Sequence, residues 1–129
     1  MTQWFYVAAG GALGAMARYG IASWLTTNPS DPAPATLPDL PWGTVVVNLV
    51  GCLLIGAMIG AGEGRDGVPE AQRLFLMIGV LGGFTTFSAF GLETVSLFRS
   101  GNPGLAGANV ALQVFGGLLG VWAGWAALR

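Results

Sequence analysis

The stretch "GVLGGFTTFSAFGLE", residues 79–93, places chemistry-bearing groups inside a long apolar run. Two adjacent glycines, Gly82 and Gly83, stand beside Thr85, Thr86 and Ser88, among Phe84, Phe87 and Phe90. Glycines weaken a helix, and hydroxyls compete for its backbone hydrogen bonds. At membrane depth, irregular backbone survives only when buried in protein or lining a wet cavity. Carbonyls released at such a break, as in discontinuous membrane helices, can bind a cation. Their hard oxygen donors suit an alkali or alkaline-earth ion. One break offers about two good carbonyls, and two antiparallel copies meeting at the centre of a dimer double that number.

The phenylalanines point to a second possibility. Phe87 and Phe90 are three apart and share a helix face. Aromatic rings are electropositive at the edge, so their rims can flank a small anion as it sheds water, with Ser88, Thr86 and Asn48 as hydrogen-bond donors. Moving a carboxylate-sized ion into a low dielectric costs on the order of 20 kcal/mol before compensation, so a dry path needs many weak donors in series. The alternative is plain packing of a Phe stripe, which composition alone favours; the adjacent polar residues narrow that preference without reversing it.

Three further polar residues stand in apolar surroundings: Arg18, Asn48 and Glu93. An ionisable group within a span costs about 2.5–3.5 kcal/mol on insertion scales and marks a functional hypothesis. The structural alternatives for Arg18 and Glu93 are a hydrogen bond to backbone carbonyls or a snorkelled position near the interface. Asn48, a lone amide in "TVVVNLVGCLLIG", can equally serve to join two helices.

The rest of the chain supplies the frame. Of 129 residues, 53% are hydrophobic and only 9% charged; a soluble domain carries about 25% charged residues. The composition is that of a single-domain membrane protein. Four stretches approach the length of about 20 residues needed to cross a bilayer: about 4–25, 42–62, 74–98 and 105–128. No basic residue precedes the first, and it is long for a signal-peptide core, so it reads as a span. A proline-rich loop follows it, a short charged connection "EGRDGVPEAQR" separates the second and third, and "RSGNPG" turns the chain into the fourth. Trp4, Trp24, Trp42 and Trp125 fall near span ends, where indole rings favour the interface.

Several function classes drop out. A net charge of −1 with no basic face gives no nucleic-acid partner. With no histidine and Cys52 alone, disulfides and Cys/His metal sites are excluded within one subunit, and Cys52 reads as a small apolar filler. "GEGRDG", residues 62–67, matches a dinucleotide pattern but follows an apolar helix instead of a strand, and reads as a loop. No nucleophile–base pair is visible, so an enzyme is not expected. Arg65, Arg73 and Arg129 share one side of an even-spanned protein, against Arg99 on the other. That bias is weak, and such a chain can insert both ways round and pair antiparallel. Small residues at four-residue spacing, among them Gly10 with Gly14, Gly56 with Gly60 and Gly120 with Gly124, allow close helix approach, within a subunit or between two.

Three of these segments carry a family resemblance. "GGFTTFSAFGLE" resembles the third-span signature of the Fluc (CrcB) family of small fluoride channels, "WGTVVVNLVGCLLIG" its second-span pattern and "GGALGAMARY" its first-span motif. The resemblance covers nearly the whole chain. It implies an all-α membrane protein of four transmembrane helices, the third broken near its middle, in a dual-topology antiparallel homodimer. It also implies a multi-pass protein of the bacterial plasma membrane, with two passive fluoride pathways that export fluoride. A structural, untransported sodium ion would be held by the backbone carbonyls of Gly82 and Thr85. Phe87 and Phe90 match the pore phenylalanines, Asn48 the pore amide, Ser88 and Thr86 their polar neighbours, and Arg18 and Glu93 the first-span arginine and third-span carboxylate. The fourth span departs: where many members carry a tyrosine and then a serine, this chain has Asn109 and Gln113, and then Gly117. A small proton-coupled multidrug-type exporter is the competing class, with Glu93 as its only intramembrane acid; a structural subunit without transport is a third.

Overall fold

The computed structural model describes residues 2–25, 40–63 and 67–129, and every regular element among them is helical. α1 (Thr2–Leu25) and α2 (Trp42–Gly62) are followed by a segmented third helix. This opens as a short turn, α3 (Glu70–Gln72), widens into a π-helix over Arg73–Leu81, and tightens again in α4 (Gly82–Phe84). α5 (Phe87–Arg99) continues it, and α6 (Pro103–Leu128) closes the chain. Trp42–Gly62, Glu70–Arg99 and Pro103–Leu128 are long and apolar enough to cross a membrane. α1 is 24 residues long and carries Arg18 in its second half. Most of the proline-rich loop, the centre of "GEGRDG" and Arg65 lie outside the described residues.

The connection between α5 and α6 shows why the sequence turns there. Gly101 takes a φ of +82°, a left-handed conformation natural to glycine. Its N–H donates to the Phe98 carbonyl and that of Asn102 to the Leu97 carbonyl, the paired bonds of a Schellman ending. Pro103 then stands at the start of α6, where its missing N–H costs nothing.

α2 packs on α6, and α1 packs on the π segment and α4. Both contacts are made by glycine. A Cβ on Gly56 or Gly60 would collide with the carbonyls of Val121 or Trp125, and one on Gly124 with that of Leu53. On the other side, a Cβ on Gly10 or Gly14 would collide with the carbonyls of Phe75 or Val80. The four-residue glycine spacing is thus used for packing inside the subunit. Side chains of the outer surface are large and apolar, Trp4, Phe98 and Trp122 among them, as for a protein solvated by lipid. At one end of the α2–α6 pair, Trp125 Nε1 donates to Glu63 Oε1 at 2.6 Å, and the Arg129 guanidinium lies 4.3 Å over the Trp125 ring.

Candidate functional site

Between α4 and α5 the helical ladder stops for two residues. Thr85 (φ −86°, ψ 158°) and Thr86 (φ −150°, ψ 112°) are extended. Several backbone groups near the gap have a traceable destination. The Thr85 N–H still reaches back to the Leu81 carbonyl at 3.0 Å, and the Thr85 hydroxyl donates to the same oxygen at 3.0 Å. The Thr86 N–H, which would close the next turn on Gly82, donates instead to Asn48 Oδ1 at 2.8 Å. The Ala89 N–H, which would reach Thr85, donates to Thr86 Oγ1 at 3.2 Å, an N-cap for α5. Arg18 Nε takes the Gly83 carbonyl at 3.1 Å. The carbonyls that lose their helical donors by this exchange are those of Gly82 and Thr85. Gly82 is exposed, with only the Met77 carbonyl near the position of an added Cβ. These two carbonyls are among the hard backbone oxygens freed at the break.

Asn48 therefore holds the break open from α2. Its amide bonds the Thr86 backbone on both sides, accepting at Oδ1 and donating from Nδ2 to the Thr86 carbonyl at 3.1 Å. The other Nδ2 hydrogen goes to Gln113 Oε1 at 2.6 Å. Gln113 Nε2 donates to Asn109 Oδ1 at 2.9 Å, Asn109 Nδ2 to Thr94 Oγ1 at 2.8 Å, and the Thr94 hydroxyl to the Phe90 carbonyl at 2.8 Å. A continuous polar chain thus runs from the break along α6 and back to α5. Its centre is enclosed by protein: Asn109 is wholly buried and Gln113 nearly so. Buried amides are tolerated here because each has a partner.

A cavity of about 490 Å³ lies beside this chain, lined by Asn48, Gly82, Thr85, Thr86, Phe87, Phe90 and Gln113 together with apolar residues of α2 and α6. The Phe87 and Phe90 rings meet at 5.3 Å between centroids, tilted by 58°. Phe90 is buried, whereas Phe87 is 81% exposed. Ser88 is also exposed, its hydroxyl 3.3 Å from that of Thr86. The structure thus gathers Gly82, Thr85, Thr86, Asn48, Phe87, Phe90 and Gln113 around one space. Asn109 stands behind Gln113, out of the lining. Arg18 and Glu93 do not line it either: Arg18 braces the break from α1. Glu93 accepts from the Thr44 hydroxyl at 2.5 Å, and its second oxygen is buried without a hydrogen-bond partner among the described residues.

Thr44 and Thr94 were not singled out from the sequence, yet each contributes a polar contact. Spacing is the signal that exposes them. Thr44 lies one helical turn before Asn48 and Thr94 one turn after Phe90, so each shares a face with a residue already marked.

Residues 5–125 match the family described as CrcB-like protein, Camphor Resistance (CrcB). The chain belongs to this family. Among its relatives, a protein of Symbiobacterium thermophilum named fluoride-specific ion channel FluC 2 is 48% identical over 119 residues, 92% of this chain and 90% of the relative. The fluoride-specific ion channel FluC of Opitutus terrae is 43% identical over 126 residues, covering 96% of this chain and 90% of its own. That of Rhizobium etli is 40% identical over 129 residues, the whole of this chain and 98% of the relative. The break, its Asn48 brace and the cavity all fall within residues 5–125, the region that matches the family.

Proposed function

We propose that this chain is a fluoride-selective passive channel, not an enzyme, which lets fluoride leave the cytoplasm across the plasma membrane. Carrying this reading is the interrupted helix beside an aromatic-lined cavity, in a chain whose relatives are named fluoride-specific ion channels. The working unit is an antiparallel homodimer of four-span subunits, with α1 as the remaining span. Physical support comes from the surface: Gly82, Phe87 and Ser88 are exposed next to irregular backbone. Lipid does not tolerate such backbone uncovered, and a second inverted copy covers it with matching chemistry. In that dimer the carbonyls of Gly82 and Thr85 from two subunits form an all-oxygen site that suits sodium, held as a structural ion and not transported. The fluoride path follows Phe87 and Phe90, with Asn48, Thr86 and Ser88 as donors; Gln113 borders it from α6, and Asn109 backs Gln113 from behind. Arg18 and Glu93 act on structure and field around the path.

The test is fluoride efflux from liposomes holding the purified protein, at clamped potential and without a pH gradient. A channel releases fluoride under these conditions. A proton-coupled exporter working through Glu93 does not, and that outcome would move the assignment to the exporter class.

A further inference from the structure

The polar chain has only one allowed polarity, and that polarity bears on the anion. The Thr86 N–H can only donate, so the Asn48 atom facing it at 2.8 Å is the oxygen. At the far end the Phe90 carbonyl can only accept, so the Thr94 hydrogen points to it at 2.8 Å. The Thr94 oxygen must then receive from Asn109 Nδ2, which turns Asn109 Oδ1 toward Gln113 Nε2, and Gln113 Oε1 toward Asn48 Nδ2. Reasoning from either end gives the same orientation for all three amides.

Asn48 is left with no spare hydrogen. One goes to the Thr86 carbonyl and the other, at 2.6 Å, to Gln113 Oε1. An anion entering the cavity beside Asn48 meets a donor already taken, and next to it the lone pairs of a carbonyl oxygen, which repel it. We propose that Gln113 is a built-in competitor for the anion: its Oε1 occupies the Asn48 donor, and fluoride binds there only by displacing the Gln113 side chain. This rests on the fluoride-channel reading and adds a specificity-determining role for Gln113. The displacement is feasible in a confined space because both residues line the same cavity. It also discriminates among anions, since only one with a strong claim on an N–H donor replaces a good amide oxygen.

The experiment compares wild type with Gln113→Met, which keeps the side-chain length and removes the competing oxygen, and Gln113→Ser, which is too short to reach Asn48. Fluoride efflux from liposomes is measured against internal fluoride concentration, with the oligomeric state checked by size-exclusion chromatography. The half-saturating fluoride concentration should fall about three- to tenfold in whichever variant folds, the range that releasing one neutral hydrogen bond gives. An unchanged or raised half-saturating concentration overturns the proposal, because Gln113 is then inert or itself a donor. A wild type that passes no fluoride sinks the channel reading instead, so the two failures are distinguishable.

Discussion

Replacing Asn48 by Leu tests the part of the site that everything else depends on. Asn48 makes three hydrogen bonds, two to the Thr86 backbone and one to Gln113. The Thr86 carbonyl still has its place in the α5 ladder, so two groups are orphaned: the Thr86 N–H and Gln113 Oε1. Each unsatisfied buried group costs about 1–3 kcal/mol; the Gln113 orphan is the same whether or not the helix reseals, so the broken conformation is disfavoured by the Thr86 N–H share alone, about 1–3 kcal/mol. The Thr86 N–H can recover its share by closing on the Gly82 carbonyl, which reseals the helix and removes that oxygen from the break. At about 1.4 kcal/mol per tenfold, even the lower figure reduces the broken state roughly fivefold. Fluoride efflux from Asn48→Leu liposomes should therefore drop at least about fivefold, and hydrogen exchange at the Thr86 amide should change with it. Asn48→Asp keeps the oxygen that receives the Thr86 N–H, so its Thr86 exchange should stay near wild type while its flux is lost with the donor. Efflux from Asn48→Leu within about twofold of wild type would refute the claim that this amide holds the break.

Other substitutions probe separate links. Phe87→Ile and Phe90→Ile should each cut fluoride efflux with the dimer intact by size-exclusion chromatography; normal efflux in both would reduce the rings to packing. Gly124→Ala places a methyl against the Leu53 carbonyl and 2.7 Å from the Ala57 nitrogen. It should destabilise the α2–α6 pair by about 1–3 kcal/mol, seen as a lower thermal midpoint. Gly11→Ala, whose nearest neighbour is the Gly79 carbonyl at 4.0 Å, should leave the midpoint unchanged. Exchanging sodium for a large organic cation throughout purification should impair efflux and dimer stability, and full activity in sodium-free buffer would remove the cation from the account.

Much of the architecture was legible because lipid imposes simple rules. The apolar stretches now seen as α2, Glu70–Arg99 and α6 announce themselves by length and lack of charge. Gly82, Gly83, Thr85 and Thr86 also marked a weak point in a helix, since glycine entropy and hydroxyl competition are local effects. What holds that point open was less visible. Asn48 stands 38 residues away in sequence from Thr86, and a lone amide has two readings, joining helices or facing an ion. The structure shows it joined to both Thr86 and Gln113. The π-helix over Arg73–Leu81 left no trace, because "RLFLMIGVL" has the composition of any membrane helix. Glycine spacing was ambiguous in the same way: small residues permit close approach without naming the partner, and here Gly10, Gly14, Gly56 and Gly60 meet carbonyls of their own chain.

The central claim is tested most directly by paired efflux measurements of fluoride and chloride, from the same liposomes at the same clamped potential. The account predicts rapid fluoride release with no chloride release above protein-free vesicles. Chloride release comparable to that of fluoride, or no release of either ion from correctly folded protein, would contradict it.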